Sequence, residues 1–197
     1  MSTVNDGVLD RAFRQARTFN RFLANKPVSD ATLQELYDLL KWGPTAVNCQ
    51  PGRYLFIKSQ EARARLLPAV AQGNQEKVNS APVTAIVAID PRFYEQLPLL
   101  IPVMPTAREM FSGNATAAND TAQLSGALQA GYLILAARLL GLDCGPMTGF
   151  EADKVNAEFF AKSGWRAMLL VNLGYGDPAG VYPRNPRLEF DAAARIL

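Results

Sequence analysis

Five short polar stretches hold the residues of this chain that could do chemistry, and each stands at the end of an apolar element. They are Arg17-Thr18-Phe19-Asn20, Pro44-Thr45-Ala46-Val47-Asn48-Cys49-Gln50-Pro51, Asn74-Gln75-Glu76-Lys77, Gly145-Pro146-Met147-Thr148-Gly149-Phe150 and Arg184-Asn185-Pro186-Arg187. The groups they offer are donors: guanidinium, hydroxyl, amide and ammonium. Taken singly, each stretch has a plain structural role, as a basic residue at a helix C-terminus or as turn chemistry.

Composition narrows the chemistry further. The 197 residues contain no histidine, which excludes a Ser-His-Asp triad, a Cys-His pair and a His-ligated zinc. Two cysteines, Cys49 and Cys144, lie far apart without metal-knuckle spacing, so reduced thiols and no metal are expected. Twenty Lys and Arg against eighteen Asp and Glu leave a net charge of +2, too little for a nucleic-acid footprint. The apolar run 131–142 is interrupted by Arg138 and is too short to span a bilayer. With no basic, then apolar, start typical of a secretory leader, a cytoplasmic location is expected. No phosphate loop of the Walker type occurs, and Gly174 to Gly180 reads as a turn after a strand.

The elements that must position these residues follow from periodicity. Val8, Leu9, Ala12, Phe13 and Ala16 predict one face of a first helix ending near Arg17, and Leu33, Leu36, Tyr37 and Leu40 predict a second helix after Ser29 and Asp30. Arg53 to Lys58 reads as a strand, and Gln60 to Val70 as a helix bent at Pro68. Pro82 to Asp90, apolar on both faces, reads as a central buried strand. The proline-bearing stretch 91–112 is neither good helix nor good strand. Thr116 to Leu142 predicts a long helix with Leu124, Leu128, Leu135 and Leu139 near one face. Cys144 to Phe150 reads as a connection, Asp153 to Phe160 as a short helix, and Trp165 to Tyr175 as a second buried strand. Strands and helices do not alternate regularly, so an α+β layered fold in one domain, 1–197, is expected.

In this order the five stretches resemble the FMN-dependent nitroreductase family. Its patterns R-x-S-x-[RK], A-P-S-x-x-N-x-Q-P, N-x-x-K and L-G-L-x-x-x-P-x-x-G-F, with a late basic residue before Leu, all have counterparts here, and the whole chain is most similar to the RutE branch, named for malonic semialdehyde reduction in pyrimidine degradation. The resemblance implies a three-layer sandwich with a mixed central sheet, in an intertwined homodimer with FMN at the subunit interface. It implies that Arg17, Thr18 and Arg187 hold the FMN phosphate, and that Asn20, Asn74 and Lys77 face the pyrimidine edge of the ring. Pro146, Met147, Thr148 and Gly149 would face the central ring nitrogen, while Pro44, Thr45, Ala46 and Asn48 would reach the flavin of the other subunit. Arg184 or Asn185 takes the second late basic position. Asn20 replaces the second basic residue of the first motif, and Ala16 stands where many relatives have Arg or His, so binding rests more heavily on Arg17, Lys77 and Arg187.

The implied activity is a ping-pong reductase driven by NADH or NADPH, with no catalytic side chain beyond Thr148 as a donor. The flavin carries the hard chemistry, which suits a chain without imidazole. The acceptor is then malonic semialdehyde, or alternatively a quinone, nitroaromatic or enone; a third reading is a flavin-binding protein without turnover. Arg108 is a candidate for the semialdehyde carboxylate, against a surface ion pair as its plainer role. Phe93, Tyr94, Leu99, Leu100, Met110 and Phe111 are candidates to line a site for flat ligands, against core packing or dimer contact. The small residues Gly126, Ala127, Ala130 and Gly131 of the long helix are expected to face the same helix of a second subunit.

Overall fold

A computed structural model describes residues 4–197. Asn5 caps α1 (Asp6–Leu9) through its side chain, and the helix widens at once into a π-helical turn, Asp10–Arg14. There the Gln15 amide bonds the carbonyl of Asp10 at 2.8 Å, one residue beyond the α-helical partner. That widening breaks the 3.6-residue phase on which the predicted stripe rests. Ala12 is buried as expected, but Val8 and Phe13 stand exposed.

The second helix, α2 (Asp30–Leu40), starts where Ser29 accepts a hydrogen bond from the Thr32 amide and buries Leu33, Leu36 and Leu40. β1 (Gly52–Ile57) leads to α3 (Gln60–Leu66), capped by Ser59, and Pro68 turns the chain into a 3-10 segment, Leu67–Ala69. α4 (Gln72–Ser80) follows, then β2 (Val83–Ile89), every residue of which is buried. The proline-bearing stretch does form helix, in short pieces: a 3-10 turn (Phe93–Gln96), α5 (Leu97–Leu100) and α6 (Ala107–Ser112). Pro98 is compatible with this because it lies in the first turn of α5, where a missing amide hydrogen costs nothing. α7 (Ala115–Leu139) is capped by Asn114. Next comes a strand, β3 (Asp143–Met147), where the sequence predicts a connection. It lies at the sheet edge, the position that tolerates Pro146. α8 (Ala152–Phe159), β4 (Arg166–Gly174), a 3-10 turn (Pro178–Gly180) and α9 (Phe190–Ala193) complete the chain.

The sheet order is β1-β2-β4-β3, and each neighbouring pair is antiparallel. The expected mixed sheet is therefore corrected. Helical connections long enough for a parallel crossover join β1 to β2 and β3 to β4, yet each returns its strand antiparallel, and among the described residues the parallel contact is the isolated bridge Thr18 to Cys144. Val83, Ala85 and Val87 pack on the layer of α2 and α7, with Leu36, Leu40 and Leu133. Ile86 and Ala88 pack on the opposite layer, with Leu66, Val78 and Val155. Helices cover the sheet on both sides, which is why β2 is apolar throughout. A third cluster joins Phe93, Leu97 and Phe111 to Ala118 and Ala122 of α7.

The long helix presents its small face inward. Ala122, Gly126, Ala130 and Ala137 are buried, whereas Leu124 is 65% exposed and Leu128 and Leu139 also face out. The expectation for Gly126 and Ala130 is thus overturned: they face this chain's own sheet, while Ala127 and Gly131 lie outward among the leucines. The cause is Ile89. A Cβ on Gly126 would lie 2.4 Å from its Cγ2 and 3.1 Å from the sulfur of Met168.

Two effects oppose each other in Gly126→Ala. Helix propensity favours alanine by about 1 kcal/mol, while overpacking a filled core costs about 1–3 kcal/mol. The contact is far inside van der Waals distance, so the clash is expected to win and the urea midpoint to fall. An unchanged or higher midpoint would mean that α7 does not press on the sheet as described.

Candidate functional site

Segment 16–20 lies between β3 and the C-terminal tail. The Phe19 amide donates to the Cys144 carbonyl at 3.0 Å, and the Asp177 amide to that of Arg21 at 3.0 Å. Arginines tie the tail down: Arg184 donates to the carbonyls of Arg14 and Ala16 at 2.9 and 3.0 Å, and Arg17 donates to that of Tyr182. Between these strands of chain lies a cavity of about 260 Å³ whose lining includes Arg17, Thr18, Asn20, Arg138, Arg184 and Arg187.

No Asp or Glu lines it. Among the described residues none of the four arginines makes an ion pair. Their hydrogen bonds go to backbone carbonyls, which satisfy donors without neutralising charge. Concentrated positive charge with walls of protein around it favours an anion, and guanidinium forks match phosphate or carboxylate. Arg184 and Asn185 both line the cavity, and Arg184 brings the charge.

A second cavity, of about 320 Å³, shares Asn20 and Tyr182 with the first and adds Gly73, Glu76 and Lys77. Lys77 Nζ donates to Asn74 Oδ1 at 3.0 Å, and Asn74 Nδ2 to the Gly149 carbonyl at 3.3 Å. A Cβ on Gly149 would lie 2.4 Å from Asn74 Nδ2, so only glycine permits this approach. β3 thus delivers Pro146 and Met147, with Thr148 exposed beyond its end, beside the start of α4. Arg17, Thr18, Asn20, Arg184 and Arg187 gather at one cavity, and Lys77 lines the other, held from behind by Asn74 and Gly149; Asn74 and residues 146–149 line neither.

Pro44, Thr45, Ala46 and Asn48 are not brought to either cavity. The Ala46 amide donates to Ser125 Oγ of α7 at 3.3 Å, and Asn48 Nδ2 to the Leu100 carbonyl at 2.7 Å. Val47, Asn48 and Gln50 have positive φ of 45°, 53° and 39°. For a β-branched valine this is a strained conformation, costing about 1–3 kcal/mol.

Other candidates fall to structural roles. Arg108 makes a two-pronged pair with Glu95, at 2.8 and 3.0 Å, so its plainer role is the one observed. Phe93 and Phe111 are core residues in an edge-to-face pair 5.1 Å apart, while Leu99 and Met110 are exposed. A larger groove of about 730 Å³ runs along β1. Its cations are already paired, Arg53 with Asp90 and Lys58 with Asp30. Sequence reasoning passed over Arg138, Glu76 and Tyr182; for Arg138 the signal was a lone cation at the end of an apolar run.

Both cysteines are fully buried. Burial raises the Cys49 thiol, against the lowering by Ser125 and Thr45, and pushes that of Cys144 up to about 12. The unfolded chain therefore loses these protons at lower pH than the folded one. Stability from this source is full below the ordinary thiol pKa near 9 and falls as pH rises from 9 towards 12. Cys144→Ala is expected to flatten that alkaline decline in urea titrations; an unchanged slope would show that the Cys144 thiol does not contribute.

The Nitroreductase family model matches residues 14–175. A Ralstonia nicotianae protein is 52% identical over 197 residues, the full length of both chains, and one from Stenotrophomonas maltophilia is 55% identical over 188 residues, 95% of each. Both carry the provisional name NADH dehydrogenase/NAD(P)H nitroreductase. Among solved structures, an Exiguobacterium sibiricum protein described as a nitroreductase in complex with FMN superposes with a TM-score of 0.86 at 24% identity, over 100% of this chain and 99% of that one. At that identity the likeness speaks for the fold. With the family match covering most of its length and relatives above 50% identity end to end, this chain belongs to the nitroreductase family.

Proposed function

We propose that the protein is an FMN-dependent oxidoreductase that takes reducing equivalents from NADH or NADPH and passes them to a small electron-poor acceptor. The observation that carries this reading is the carboxylate-free cavity lined by four unpaired guanidiniums. Its charge and fork geometry suit the dianionic phosphomonoester of FMN. When bound, FMN would supply two-electron hydride chemistry between a nicotinamide and an acceptor.

The chain's own residues bind and orient. Arg17, Thr18, Arg184 and Arg187 would hold the phosphate, and Asn20 lines both cavities. Lys77, fixed by its bond to Asn74, keeps donors free for the pyrimidine edge of the ring, where negative charge develops on reduction. Pro146, Met147 and Gly149 would bring backbone alongside the ring, and the Thr148 hydroxyl, exposed at the end of β3, would give a proton to product.

Pro44, Thr45, Ala46 and Asn48 lie away from both cavities, and in this reading a second copy of the chain would bring its own set to them. The outward leucines of α7 supply an apolar face for an isologous contact. Of the two acceptor classes, we favour a nitroaromatic or quinone over malonic semialdehyde. The commitment of Arg108 to Glu95 removes the cation named for the semialdehyde carboxylate.

The purified protein is expected to be yellow and to retain FMN. Anaerobic stopped-flow mixing with NADH or NADPH should bleach the flavin absorbance, and a nitroaromatic or quinone should restore it faster than malonic semialdehyde does. Faster return with the semialdehyde would reverse the acceptor assignment, and failure to take up FMN would sink the flavin reading. Leu128→Glu is expected to shift the protein to monomer in sedimentation and to weaken FMN binding at least tenfold; an FMN-replete monomer would refute the shared site.

A further inference from the structure

Arg138 is the member of the cation cluster that belongs to none of the five polar stretches. It sits in the last turn of α7, directly after Ala136 and Ala137, which are buried against the core. One terminal nitrogen donates to the Ala12 carbonyl at 3.0 Å, and its Nε is buried with no hydrogen-bond partner. No carboxylate pairs with it among the described residues.

A structural role for Arg138 could be to complement the helix dipole or to pin the π-helical turn through Ala12. Either role is served without lining the anion cavity, as Arg138 does. Its Nε is shut away from the cavity, but its second terminal nitrogen makes no hydrogen bond among the described residues and is the donor left for an anion. The other three arginines ride on a loop segment and an exposed tail, whereas Arg138 is carried by a helix locked to the sheet. It is the fixed charge around which the others are arranged.

We propose that Arg138 is a binding residue for the cofactor phosphate and that it sets the preference for a flavin carrying a phosphomonoester over one that lacks it. This rests on the flavin reading above, and the test separates the two. Flavin-stripped protein would be titrated with FMN and with riboflavin by fluorescence quenching, alongside Arg138→Met and Arg138→Lys. Arg138→Met is expected to weaken FMN about tenfold to a hundredfold, the range of one lost charge-assisted hydrogen bond. Riboflavin affinity should stay within about twofold, and the loss for FMN should narrow at high salt. Arg138→Lys, which keeps the charge without the fork, should recover part of the FMN affinity.

An equal loss for both flavins, accompanied by a lower Tm of the flavin-free protein, would assign Arg138 to the Ala12 contact alone and overturn the proposal. Unchanged FMN affinity in Arg138→Met would overturn it too, while leaving the flavin reading intact. Wild-type protein that binds neither flavin would instead defeat the parent reading.

Discussion

Four guanidinium groups around one small cavity repel one another, and the fold has to hold them there. It does so with neutral partners. Arg17, Arg138 and Arg184 each donate to main-chain carbonyls of segments distant in sequence, so every bond that fixes a charge also fastens two parts of the chain together. An acidic partner would fix an arginine equally well but would cancel the field that draws an anion. Elsewhere the chain uses carboxylates freely: Arg21 with Asp177, Arg53 with Asp90, Arg108 with Glu95. What sets this cavity apart is that none of its four arginines has an acidic partner among the described residues.

The long helix α7 works in the same economy of partners. Its inward face is small enough to lie close to the sheet, and the polar residues on that face are pegs. Gln129 Oε1 accepts from the Gly52 amide at 2.8 Å and Ser125 Oγ from the Ala46 amide. Both side chains are buried, where an unpaired polar group would be costly. The loop from Pro44 to Pro51, with its three left-handed residues, is thus moored to the helix that also carries Arg138 at its far end. One rigid element sets the positions of the strained loop and of the fixed charge.

Much of this was legible in the sequence where burial is two-sided or a cap is present. β2 and β4 were readable from their unbroken apolar runs, and α2 from Ser29 and its leucine spacing. α4 was not, because its sequence, QGNQEKVNS, buries Val78 alone and gives periodicity nothing to register. β3 was taken for a connection because Gly145-Pro146 is turn chemistry everywhere except at a sheet edge. The leucine stripe of α7 was real but faced outward, since a pattern of apolar spacing does not say which side of a helix meets the core when the other side is small. At the site, the first and last polar motifs supply Arg17, Thr18, Asn20, Arg184 and Arg187 to one cavity, and the third supplies Lys77 to the other, while the loop after α2 lines neither. Arg138 escaped because a lone cation at a helix end already has an adequate explanation in the helix dipole.

The cations of the first cavity come from positions 17, 138, 184 and 187, and this bears on how the site would respond to proteolysis. All four strands of the sheet lie before residue 175, whereas two of the four arginines lie in the exposed segment after it. Exposed, irregular chain is where proteases cut first. A nick between Gly174 and Arg184 would leave every strand of the sheet in place while loosening two of the four cations, so the framework and the anion site are separable by a single cut.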